Sequence, residues 1–138
     1  MDTWGAVMET LAAAISAIVE GDLNGLAAVQ AATHRQLRDA AAILPPLIIS
    51  RPALVRVLED LRCDLFPTEE IQRWASFIRR GYVPGRSQGE IHPIEIKYDA
   101  NDEALIAEII GRLDELGDQV DGQIDSHEQE AMLLALRE

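Results

Sequence analysis

Four aspartates, Asp114, Asp118, Asp121 and Asp125, recur at intervals of four, three and four residues. On a continuous helix that spacing sets every carboxylate along one stripe. Such a ridge could hold a divalent cation or meet a basic protein surface. Within it, Glu115 and Asp118 form one Glu-x-x-Asp pair, the kind of ligand pair that helical magnesium-dependent nucleotide hydrolases place on two facing helices. A second pair on another helix is not found, and magnesium sites use few protein ligands and much water. An EF-hand fails as well: counted from Asp121, position six is Ser126 where glycine is needed, and position twelve is Met132 where glutamate is needed. Charge runs of this kind are more often solvated faces, so a metal centre is not expected.

Other reactive side chains are scattered. His34, His92 and His127 lie in separate segments and read as surface or half-buried structural histidines. Cys63, the single cysteine, sits between Leu61 and Leu65 without a neighbouring base and reads as a buried thiol. The glycine-bearing run Gly81 to Gly89 has no Walker lysine and no preceding strand, so it reads as a connector. Arg73, Arg79, Arg80 and Arg86 cluster where a helix meets this run. In a chain of net charge −12 they are expected to pair with the acidic C-terminal region.

The charge is strongly polarised. From Tyr98 to Glu138, twelve carboxylates face only Arg112 and Arg137, which accounts for ten of the twelve net negative charges. A field of that sign attracts basic proteins and metal cations and repels nucleic acid and anionic lipid. The expected partner is therefore a basic protein, with neither nucleic acid nor membrane as ligand and no cofactor.

The elements that position these groups follow from periodicity. At 138 residues with 48% hydrophobic and only 4% aromatic content, the chain supports one core built from Leu, Ile, Val and Ala, which favours an all-α domain of about five or six helices. Apolar residues at Val7, Met8, Leu11, Ala12, Ile15, Ile18 and Val19 predict a first helix up to Gly21. A second periodic segment from Leu23 to about Leu44 completes an alanine-rich hairpin over 1–44. Its primary use is intramolecular packing; its alternative use is as the seam of a homodimer through residues 4–44. Pro45-Pro46 stops the second helix. Ser50 with Pro52 predicts a third helix to Arg62, and Thr68, read as a cap, opens a fourth over 69–80. The 50–80 region is thus a helix pair, and 81–98 is a long loop ending in Ile94 to Tyr98, a weak strand pattern best read as an extended segment over the helices.

The strongest helix comes next. Leu105, Ile106, Ile109, Ile110, Leu113 and Leu116 share one face, with Asp99 or Asn101 as cap and a Glu108–Arg112 surface pair. Val120 and Ile124 extend the stripe past Gly117, and a last helix begins at Asp125 or Ser126, where Ser126 and Gln129 have capping-box spacing. Together these form the acidic C-terminal helices of 99–138. The Met1-Asp2-Thr3 start has no basic leader, and no apolar run is long enough for a bilayer span, so a cytoplasmic protein is expected.

The run Ile96-Lys97-Tyr98-Asp99-Ala100-Asn101-Asp102-Glu103-Ala104-Leu105-Ile106-Ala107-Glu108-Ile109-Ile110-Gly111-Arg112-Leu113 resembles the small acidic helical immunity proteins of the colicin D type. The resemblance spans about residues 94 to 116. It implies a protein that presents acidic side chains to the basic active site of a tRNA-cleaving toxin, with Asp99, Asp102, Glu103 and Glu108 among those facing it. Asp114 and Asp118 on the ridge extend the same candidate surface. The chain is then a non-catalytic acidic binding protein. The alternatives are a metal-dependent all-α nucleotide hydrolase built on Glu115 and Asp118, and a homodimeric adaptor.

Overall fold

The computed structural model describes residues 3–82, 93–116 and 124–137, with side chains from residue 9 onward. The fold is all-α, with seven helices among the described residues and one short pair of strands. Helix α1, Thr3–Val19, buries Leu11, Ala12, Ile15 and Ile18, as its stripe predicts; the side chains of Val7 and Met8 lie outside the described set. It closes on Gly21 at φ 88, where the Asp22 amide donates to the Ala17 carbonyl and the Gly21 amide to that of Ile18. A Cβ at Gly21 would also press on the Ala53 carbonyl oxygen at 2.5 Å, so glycine is required twice over, by conformation and by space.

The second segment is not one helix. It divides into a 3-10 turn at Leu23–Gly25, α2 at Leu26–Ala31 and α3 at His34–Ala42. Thr33 causes the break: its hydroxyl accepts from the Gln36 amide at 3.1 Å, while the Gln36 side chain accepts from the Thr33 amide at 2.9 Å. This reciprocal cap starts a new helix where the apolar spacing alone reads straight through.

Strand β1, Leu47–Ile49, follows the two prolines, and α4, Arg51–Arg62, starts after Ser50. Helix α5 is Thr68–Arg80; Pro67 occupies the cap position and its carbonyl accepts from Glu70 and Ile71, so Thr68 is the first helical residue and does not cap. Strand β2, Ile96–Tyr98, lies parallel to β1 in the register Leu47↔Ile96, Ile48↔Lys97 and Ile49↔Tyr98, and the Asp99 amide adds a bond to the Ile49 carbonyl. The Ile94 to Tyr98 segment is therefore paired, with a partner that precedes α4. The rest of the loop, residues 83–92 including Arg86, lies outside the described residues.

Helix α6, Glu103–Asp114, buries Ile106, Ile109, Ile110 and Leu113 against α5. It begins after Asp102 and stops at Asp114, where the amides of Glu115 and Leu116 fall back on the carbonyls of Arg112 and Leu113. Helix α7, Ser126–Arg137, buries Leu133 and Leu136 and packs on α4. Its cap is Asp125, whose carboxylate accepts from the Glu128 amide at 2.8 Å, one residue earlier than the Ser126 and Gln129 spacing suggests. Apolar groups from all of these elements join one core around Trp74 and Phe77. The indole N–H of Trp74 donates to the Ile18 carbonyl at 2.8 Å and ties α5 to the end of α1.

Candidate partner-binding surface

Because α6 turns its apolar stripe to the core, its polar residues divide between the outer face and the two flanks. Glu103 and Glu108 are exposed on the outer face. Asp99 and Asp102 are not equivalent to them. One carboxylate oxygen of Asp99 accepts from the Asn101 amide at 3.0 Å, shaping the turn into α6. The Asp102 side chain is only 16% exposed and pairs with Arg51 at 2.6 Å. Arg51 also donates to the Leu136 carbonyl at 3.1 Å, so this guanidinium joins the starts of α4 and α6 to the end of α7.

Asp114 is placed differently from the expectation of an outward ridge. Its side chain is 5% exposed and lies within 3.0 Å of Arg79 and 3.8 Å of Arg80, and it accepts from the Gln72 amide at 3.0 Å. Of the arginine cluster expected to pair with the acidic region, Arg79 and Arg80 do so here, between α5 and α6. The four-aspartate stripe is interrupted: Asp114 ends α6 and Asp125 caps α7, so no single helix carries both. Asp118 and Asp121 lie outside the described residues.

Between α6 and α7 runs a groove of about 550 Å³. Ile109, Met132 and small residues of both helices line it, together with Glu108, Glu115 and Glu128. Arg112 crosses one side, bonding Glu128 through two nitrogens at 2.6 and 3.1 Å and Glu115 at 3.1 Å. The Glu128 bond, more than any other contact, holds the Arg112 guanidinium even more firmly protonated than usual. Arg112 thus turns to α7 and to the helix end, whereas the sequence spacing pairs it with Glu108. Glu115 is a guanidinium partner here, and among the described residues no group of three or more His, Cys, Asp or Glu side chains is placed to hold a metal ion.

Two further side chains depart from expectation. Cys63 is exposed, because it caps α4 and the chain turns away from the core at Asp64. His34 is 3% exposed at the start of α3, edge-on to Tyr82 at 6.3 Å between ring centres, with its Nε2 unpartnered among the described residues; His127 is exposed and His92 lies outside the described residues. Sequence reasoning missed the roles of Arg51, which opens the apolar face of α4, and of Gln72, which has both polar and apolar neighbours along α5. The burial of Asp114 was signalled by its place four residues after Ile110. Among the described residues no helix is long and apolar enough to cross a membrane. No protein-family model, curated protein or solved structure matches this chain.

Proposed function

We propose that this chain is a non-catalytic acidic binding protein whose partner is a basic protein, of the type of a toxin or nuclease domain whose cationic site it occludes. The observation that carries this reading is the outer face of α6: Glu103 and Glu108 are exposed and lack ion-pair partners among the described residues, while the opposite face is committed to the core. Glu108 carries that surface to the edge of the α6–α7 groove, where Arg112 takes up Glu115 and Glu128. A charge of −12 supplies long-range attraction for a cationic partner. The carboxylates engaged in internal pairs, Asp102 and Asp114, contribute to this surface as scaffold and to the field as charge.

The test is direct binding to purified tRNA-cleaving toxin domains of the colicin D type at low and high salt. Fast association that falls steeply with salt supports the reading; absence of binding, or binding indifferent to salt, rejects it. A complementary measurement addresses hydrolysis. Millimolar magnesium or manganese is expected to leave the melting temperature unchanged, since a site that binds metal in the folded state would raise it by mass action. Stabilisation abolished by Glu115→Gln with Asp118→Asn would replace the binding reading by a metal-dependent one.

A further inference from the structure

Arg73, Ser76 and Arg80 recur at three- and four-residue intervals along α5 and line a cavity of about 330 Å³ between α2, α5 and the end of α6. Its floor includes the buried side chains of Leu26 and Phe77, and Gln30 faces them from α2. Two guanidiniums, those of Arg73 and Arg80, line it together with one carboxylate, Asp114, which Arg79 pairs as well. That carboxylate is already occupied by Gln72 and Arg79. Arg80 reaches it only at 3.8 Å, beyond the length of a charge-assisted hydrogen bond. Arg73 has no ion pair among the described residues.

Arg79 and Arg80 have a structural explanation, because they complete the C-terminal turn of α5 and balance its dipole. Arg73 has no such role, lying mid-helix at the edge of the cavity. A concave site with surplus positive charge, set in a molecule of net −12, is a local inversion of the field. The geometry points to a binding site for a small organic anion: an oxyanion, carboxylate or phosphate, held between Arg73 and Arg80 beside the Ser76 hydroxyl, carried on a compact apolar body that rests on Leu26 and Phe77. The volume lies at the lower end of ligand pockets, which sets the body at about one ring. Inorganic phosphate leaves the apolar floor uncovered, and a neutral ring leaves the guanidiniums unmet. The site uses neither Glu103 nor Glu108, so it stands or falls independently of the basic-partner reading.

The experiment is an amide NMR titration of the full chain with phenyl phosphate, benzoate, inorganic phosphate and benzyl alcohol. Phenyl phosphate or benzoate is expected to give saturable shifts at Gln72, Arg73, Ser76 and Phe77, with affinity about tenfold above that of the other two probes, equivalent to ~1.4 kcal/mol. Arg73→Gln, a change at an exposed position, should weaken binding about tenfold while leaving the remaining resonances in place. Arg62→Gln, on the exposed end of α4, should leave affinity unchanged. Non-saturable shifts, equal affinity for benzyl alcohol, or undiminished binding by Arg73→Gln would overturn the assignment. The relative affinity for phenyl phosphate and benzoate identifies which oxyanion the site prefers.

Discussion

Asp64 ends α4 at φ 53, the left-handed region that favours glycine, and the amide of Leu65 reaches back to the Asp60 carbonyl at 3.0 Å. The same closing motif at the end of α1 uses Gly21. Asp64→Gly should therefore raise stability by several tenths of a kcal/mol up to about 1 kcal/mol, since the strain of a Cβ in this conformation exceeds the entropy that glycine adds to the unfolded chain; a chemical-denaturation midpoint measures it, and a lowered midpoint would contradict the strain. Tyr98 gives a second prediction. Burial, followed by the opposed effects of Arg79 and Asp114, pushes its phenol above the ordinary value of 10.0. The folded protein then holds this proton more tightly than the unfolded chain. That contribution is complete below pH about 10 and disappears as pH rises through the raised folded value. Absorbance titration of a Tyr82→Phe variant, native against denatured, should show the native transition at the higher pH. Coincident curves would mean that Tyr98 is not shielded. At this scale the sequence is least informative: a cysteine flanked by leucines reads as buried, yet one left-handed residue beyond it turns both Cys63 and Leu65 outward.

Elements are legible where one face repeats without interruption. The α6 stripe, α1 and the buried set Ile71, Trp74, Ala75 and Ile78 on α5 follow directly from spacing. Legibility fails where a polar cap competes with an apolar period, as at Thr33, and where the decisive contact is remote. The strand at 96–98 has a clear alternation, but its partner at 47–49 is separated from it by α4 and α5, and no local pattern reports a parallel pairing across two helices. Ile109→Asp tests the best-read element. Ile109 is 2% exposed on the α6 face that meets the core, and an unpaired carboxylate there should cost more than about 3 kcal/mol. An unchanged thermal midpoint would mean that this face is not buried.

For the molecule as a whole, polarity of charge is the feature most plainly written in the sequence, and its use is the feature least so. A list of carboxylates cannot separate those facing solvent from those spent inside, because the separation depends on where Arg51, Arg79 and Arg112 fall in space. The two groups should respond oppositely to neutralisation. Asp102→Asn removes the 2.6 Å partner of Arg51 and weakens a junction of three helices, so its main effect is lost stability. Glu103→Gln with Glu108→Gln removes two charges that have no ion-pair partner among the described residues. Folding stability should stay within about 0.5 kcal/mol. Association with a basic toxin domain, measured by stopped flow, should slow, and the dependence of the rate on salt should flatten, because steering falls with each outward charge removed. If the double variant associates as fast as the parent at low salt, the α6 face is not where the partner arrives, and the acidic surface must act from elsewhere on the molecule.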